Sequence, residues 1–128
     1  MDESKYENAL QIILHAGNAK SAALMAIDAA HDGDFEEAEK QLAEAQSEMS
    51  AAHKMQFELT QAEANGNEVD INIILIHAED HLTMAIMASD FAERFIELYH
   101  DKYEGKQPLI FRLVNRAPKM SVFERSPL

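Results

Sequence analysis

The chain has 128 residues, the size of a single domain, and contains no cysteine. Disulfide bonds, thiolate metal sites and a cysteine nucleophile are therefore excluded, and a reducing cytoplasm is the natural compartment. The net charge of −12 is uneven: residues 1–104 hold 6 Lys and Arg against 22 Asp and Glu, whereas residues 105–128 hold 5 Lys and Arg against a single glutamate. Such an acidic body argues against nucleic acid as a partner, because phosphate binding relies on Lys and Arg, and it suits a basic protein partner better.

The N-terminal run MDESKYENAL lacks both the basic start and the apolar stretch of a secretory signal. No segment approaches the roughly 20 apolar residues that a membrane-spanning helix needs. We therefore expect a soluble, unprocessed, cytoplasmic protein.

Two glycine-centred breaks divide residues 1–104 into three stretches of roughly 30 residues, rich in the helix-favouring residues Ala, Glu, Leu and Met. The first stretch runs from about Glu3 to Asp32. Gly33 follows it and can adopt the left-handed conformation that closes a helix. Asp34, with Glu37 three residues later, has the spacing of a capping box and predicts the start of the second helix.

The second stretch repeats apolar residues at alternating spacings of three and four, the pattern of a coiled-coil seam. The seam consists of Phe35, Ala38, Leu42, Ala45, Met49, Ala52 and Leu59. Because much of it is alanine, it predicts a close approach between helices. The run Asn65-Gly66-Asn67 ends this helix, and Asp70 is placed to cap the next one.

The third stretch, from about Ile71 to Tyr103, is apolar over most of its circumference. One sector holds Ile73, Ile74, His77, Asp80, His81, Met84, Ala88, Phe91, Phe95 and Leu98. A second sector holds Leu75, Ala78, Leu82, Ala85, Ile86 and Ile96. Short connections between long helices predict an all-α, antiparallel up-down-up three-helix bundle. Two neighbours cannot cover so apolar a helix, so we also expect an oligomer with this helix at its centre.

Residues 105–128 differ from the body, since they contain three prolines, a short apolar patch and the reversed charge. We interpret them as a basic C-terminal extension to a domain spanning residues 1–104. The composition favours disorder over much of this segment, and a docking segment for an acidic surface is the alternative.

His77, Asp80 and His81 carry the clearest chemical signal, because spacings of i, i+3 and i+4 place their side chains on one patch of a helix. Titratable groups on an apolar seam are costly unless they are hydrogen-bonded, bound to metal or functional. A transition-metal site, a phosphoryl-accepting imidazole and a purely structural cluster all fit the patch. A metallohydrolase is not favoured, because HAEDH has Asp beside its second histidine.

The other histidines show no carboxylate partner at cluster spacing on a buried seam. They are His15, His31, His53 and His100. We expect none of them to act directly, and His53 is the likeliest exception.

The run INIILIHAEDHLTMAIMASDFAERFIELY resembles the last helix of the lactose/cellobiose-type enzyme IIA family of the bacterial phosphoenolpyruvate-dependent sugar phosphotransferase system, whose signature is close to V-H-A-Q-D-H-L-M-T. Three earlier segments are also similar: HAGNAKSAALMAI at 15–27, DGDFEEAEKQLAEA at 32–45 and AHKMQFEL at 52–59. The resemblance covers about residues 4–103.

This resemblance implies a role for each residue of the patch. The family's phosphorylated histidine falls on His77, and His81 matches a histidine beside it. The family's metal-binding aspartate falls on Asp80, which would meet its copies from two neighbouring subunits on the threefold axis of a homotrimer. Mg²⁺ or another divalent cation is expected there. His77 would receive a phosphoryl group from the histidine phosphocarrier protein and pass it to a cysteine of the cognate IIB protein, which serves the membrane permease IIC.

Glu79 stands where the family usually has glutamine and places a charge beside the expected phosphorylation site. Weaker phosphorylation is one expected consequence. The alternative function is a non-catalytic trimeric interaction or regulatory module derived from the same family, marked by Glu79 and the basic extension.

Overall fold

Three long helices make up almost all of the part of the chain that the structure, a computed structural model, describes: residues 6–105 and residue 110. They are α1 (Glu7–His31), α2 (Phe35–Ala64) and α3 (Ile73–Glu104), with no strand in this part of the chain. The predicted all-α class is confirmed. Apart from Gly105 and Ile110, the proposed C-terminal extension lies outside the described residues, so its disorder and the boundary after residue 104 stay predictions.

Contacts between helix ends show that the helices run up, down and up. The rings of His31 and Tyr99 meet near the C-terminal ends of α1 and α3, so these two helices run in the same direction. Phe35 at the start of α2 packs against His100 and Tyr103 near the end of α3, so α2 runs in the opposite direction. The predicted up-down-up bundle is therefore confirmed.

Glycine closes α1 and α2 as the sequence predicts. Gly33 and Gly66 have φ values of 81° and 86°, a region that other residues rarely adopt. After α1, the amide of Gly33 donates to Ala30 O and that of Asp34 to Ala29 O, the paired bonds of a Schellman motif. Equivalent bonds from Gly66 and Asn67 close α2. Both ends thus have partners for several of their last carbonyl groups, and the chain reverses direction within a few residues.

The sequence predicted the cap of α2 correctly and the cap of α3 incorrectly. Asp34 caps α2, since its Oδ1 accepts from the Glu37 amide at 3.1 Å. The reciprocal half of the capping box is absent, because the Asp34 amide already donates to Ala29 O. The prediction that Asp70 caps α3 was wrong. The cap is Asn72, whose Oδ1 accepts from the Leu75 amide at 2.9 Å, and α3 begins at Ile73.

Alanine lines the centre of the bundle. Helix α1 packs against both α2 and α3, which contact each other much less. Its fully enclosed alanines include Ala16, Ala19, Ala23 and Ala26, and their small size lets both neighbours approach closely. The larger side chains of the core come mainly from Ile12, Leu42, Met49 and Leu82. In α2, the predicted seam is buried from Ala38 to Ala52 and half-buried at Phe35 and Leu59.

One apolar side of α3 faces this core, and the other faces solvent. Ala78, Leu82, Ala85 and Ile96 are buried. The opposite side leaves large apolar side chains roughly half exposed or more. This outer stripe consists of Ile73, Met84, Met87, Phe91, Phe95 and Leu98. Scattered apolar residues are ordinary on a surface, but the run from Met84 to Leu98 along one side of a helix is typical of a surface that contacts another protein. No described helix meets the length and apolarity needed to cross a membrane.

Candidate functional site

His77 and His81 lie one turn apart near the start of α3 and contact each other through their rings. Their Nε2 atoms are 3.0 Å apart, and the rings meet edge to face with centroids 4.4 Å apart. His77 is exposed and His81 is half-buried. The structure therefore brings together the two histidines that the spacing placed on one patch, and it leaves His77 open to a protein partner.

The contact between the two Nε2 atoms has the distance of a hydrogen bond. A hydrogen bond between two imidazole nitrogens needs a proton on one of them and a lone pair on the other. If His81 donates, His77 keeps the lone pair on Nε2 and carries its own proton on Nδ1. An imidazole nitrogen that keeps its lone pair is a nucleophile once the hydrogen bond to it breaks, and the neighbouring N–H can then bind an anionic oxygen.

Asp80 lies on the same side of α3 as the outer stripe. It is exposed and makes no hydrogen bond or ion pair within the described residues. It also belongs to no group of three or more metal-ligating side chains in this part of the chain. A single chain thus supplies one carboxylate at this position.

Glu79 turns toward α2. Its Oε2 accepts a hydrogen bond from Gln56 Nε2 at 2.5 Å, and the side chain is half-buried. The bond joins the two helices of the bundle that contact each other least. The Glu79 carboxylate, which stands where the family usually has glutamine, is therefore hydrogen-bonded to Gln56 of α2.

Sequence reasoning missed carboxylate partners for three of the remaining histidines. His15 Nδ1 lies 2.6 Å from Glu48 Oε2 across α1 and α2, a pairing of residues 33 positions apart that no local pattern reveals. His31 meets its neighbour Asp32 at 3.1 Å. His100 Nδ1 meets Glu104 Oε1 at 3.0 Å, an i, i+4 pair that the sequence does display.

The three-helix fold agrees with the comparison to known families. The family described as "PTS system, Lactose/Cellobiose specific IIA subunit", where PTS is the phosphotransferase system, matches residues 7–100. The chain belongs to this IIA family. Its match spans nearly the whole of the three helices, including HAEDH.

Relatives of this IIA protein cover most of its helical body. The lichenan-specific phosphotransferase enzyme IIA component of Bacillus subtilis is 46% identical over 99 residues, which are 77% of this chain and 90% of the relative. The lactose-specific EIIA component of Staphylococcus epidermidis is 38% identical over 70% of this chain and 86% of its own length.

Solved structures agree. The cellobiose-specific enzyme IIA from Bacillus anthracis superposes with a TM-score of 0.78 at 40% identity, covering 83% of this chain and 96% of the other. PtcA from S. mutans gives a TM-score of 0.73 at 38% identity, covering 78% of this chain and 99% of the other. This chain is accordingly a IIA component of a sugar phosphotransferase system, a class of phosphotransfer protein.

Proposed function

We propose that this IIA protein carries a phosphoryl group on His77 during sugar uptake, in the cytoplasm. It would accept the group from the histidine phosphocarrier protein and deliver it to a cysteine of the cognate IIB protein, which serves the permease IIC. The observation that carries the proposal is the exposed His77 ring with its Nε2 in contact with the Nε2 of His81.

Each transfer exchanges one bond to phosphorus for another. In the first, the phosphorus–nitrogen bond of the donor phosphohistidine breaks while the His77 Nε2 lone pair bonds to phosphorus. In the second, a cysteine thiolate of IIB attacks phosphorus and His77 leaves as a neutral imidazole. The N–H of His81, relieved of its acceptor on His77, donates to a phosphoryl oxygen. Such transfers depend mainly on positioning and charge stabilisation, and the two partners supply the remaining groups.

The assembly that we propose is a homotrimer packed through the outer stripe of α3. Roughly half-exposed Phe91, Phe95 and Met84 support it, because burial of the exposed half of such a side chain contributes about 1 kcal/mol. Asp80 lies on the same stripe. Three copies of its carboxylate on a threefold axis would repel one another unless a cation lay between them, and oxygen ligands suit Mg²⁺ or Ca²⁺.

Phosphoryl labelling tests the role of His77. Incubation of the full chain with phosphoenolpyruvate, enzyme I and the phosphocarrier should add one acid-labile phosphoryl group per chain, measured by intact mass and by its loss in acid. His77→Ala should remove the label. His31→Ala is the matched control, because His31 is exposed and pairs with its neighbour Asp32 alone among the described carboxylates, and it should label fully.

Lack of label on the wild-type chain would refute the proposal. It would instead favour the non-catalytic interaction module, for which His77→Ala should leave the biological effect intact. His81→Ala should slow labelling without abolishing it, since His81 supports the phosphoryl group and His77 bonds to it.

A further inference from the structure

We propose a second site, for a divalent transition-metal ion such as Zn²⁺, formed by His100, Asp101 and Glu104 at the C-terminal end of α3. Each residue offers one ligand atom, and the three atoms all lie within 4.8 Å of one another. The His100 Nδ1 and Glu104 Oε1 atoms are 3.0 Å apart. Two ligands bound to one ion at about 2.0–2.2 Å each stand at roughly this separation, so modest side-chain movement would let an ion replace the direct contact.

Aromatic packing holds the imidazole of this cluster in place. The ring of Phe35, at the start of α2, meets the His100 ring edge to face at 4.8 Å. The same phenylalanine ring packs against Tyr103 at 5.6 Å. A ligand fixed by such packing loses little side-chain entropy when an ion binds, which favours a site already formed in the apo protein.

Burial and charge also favour a cation at this position. Glu104 is only 7% exposed, whereas Asp101 is exposed, so an ion would be enclosed on one side and open to water on the other. A buried carboxylate is costly unless it is paired, and a divalent ion would neutralise both carboxylates. The three residues also occupy the last turn and a half of α3, where the helix dipole attracts positive charge.

The ligand set indicates the kind of ion. One imidazole nitrogen and two carboxylate oxygens suit Zn²⁺ and its first-row neighbours, whereas Mg²⁺ prefers oxygen ligands alone. The cluster lies 23 residues along α3 from His77, about 35 Å at 1.5 Å per residue. It is therefore separate from the proposed phosphoryl site. The bound ion would hold the last turn of α3 in the position where His100 packs against Phe35 of α2.

Calorimetric titration of the full apo chain with Zn²⁺ tests this site. The His77–His81 pair and the proposed Asp80 site can also bind zinc, so the key comparison is between two double variants that both keep Asp80. His77→Gln/His81→Gln should keep one zinc equivalent per chain at this cluster. His100→Gln/Glu104→Gln should lose that equivalent. Asp101→Asn, which changes an exposed ligand and should fold normally, should weaken the same binding by about tenfold or more.

Glu97→Gln is the matched control, because Glu97 is an exposed carboxylate on the same helix outside the cluster, and it should bind zinc like the wild type. Zinc-dependent shifts of the His100 imidazole resonances would identify the ligand directly. If zinc binding is unchanged in Asp101→Asn and in His100→Gln/Glu104→Gln, or disappears with His77 and His81, then the cluster is an ordinary ion pair and the proposal is wrong.

Discussion

At the scale of single residues, Glu79 is the departure from the family pattern that bears most directly on His77. The carboxylate lies two positions from the proposed phosphoryl acceptor, and Gln56 holds it against α2. A glutamine at this position could keep a hydrogen bond to Gln56 through its amide oxygen. The two residue types therefore differ mainly in charge, and the charge acts on an incoming phosphoryl group that is itself anionic.

Glu79→Gln should accelerate phosphoryl acceptance by about two- to fivefold, because it removes one negative charge that acts on the phosphoryl group through a largely aqueous medium. The free energy of unfolding should change by less than about 1 kcal/mol, since a hydrogen bond to Gln56 remains possible. Rapid-quench labelling with phosphorylated phosphocarrier would measure the rate, and Glu97→Gln on the same helix serves as the control. Slower labelling of Glu79→Gln would mean that the carboxylate assists the transfer.

At the scale of helices, the start of α3 decides where the histidine pair stands. The Asn72 cap begins the helix at Ile73, so His77 falls in the second turn and His81 in the third. Few contacts join this helix to α2, and the Gln56–Glu79 bond is one of them. A well-capped first turn therefore contributes more to the stability of this helix than it would in a helix that is packed on all sides.

Asn72→Ala should lower the free energy of unfolding by about 1 kcal/mol, because the Leu75 amide loses its acceptor. Asp70→Ala should cost less, since the bond between Asn72 and Leu75 survives. Urea unfolding followed by circular dichroism would compare the two variants, with all chains at one protein concentration because oligomerisation shifts apparent stability. A greater loss for Asp70→Ala than for Asn72→Ala would mean that Asp70, and not Asn72, is the residue that stabilises the start of α3.

At the scale of the whole molecule, the outer stripe of α3 has no partner among the residues that the structure describes. The core of one chain is centred on α1 and its alanines, whereas the stripe on α3 faces away from them. We expect the protein to sediment as three chains of 14.4 kDa each, with α3 at the centre of the assembly. Asp80 would then lie where its copies converge, a position that no single chain can complete.

If the proposed trimer holds a cation on its axis, chelator should lower the melting temperature, because removal of the cation would leave three Asp80 carboxylates in mutual repulsion. Asp80→Leu should abolish the difference between melting with and without chelator. Differential scanning calorimetry at a fixed chain concentration would measure both. Glu97→Leu, on the exposed polar edge of α3, should retain the wild-type response. If chelator leaves the melting temperature of the wild-type protein unchanged, no cation is bound at Asp80.

Local signals in the sequence were enough to predict where α1 and α2 end and which residues of the site lie side by side. Gly33 and Gly66 mark the helix ends because few other residues tolerate positive φ, and the i, i+4 spacing alone predicts that His77 and His81 are neighbours. The Asp70 prediction failed because Asp and Asn both cap helices, and two candidates two residues apart cannot be separated without the backbone path.

Only the tertiary structure decided which distant groups meet. The pairings of His15 with Glu48 and of Gln56 with Glu79 join separate helices, and no periodicity within one helix encodes them. The sequence also did not reveal that α1 lies at the centre of the bundle. Its core residues are mainly alanine, which has little hydrophobic signal of its own and is buried here because it allows close packing. The sequence by itself therefore determined the three helices and the face that carries His77, because both depend on short-range geometry. The packing of the helices determined how Glu79 is held and which side of α3 remains open, because those depend on contacts between residues far apart in the chain.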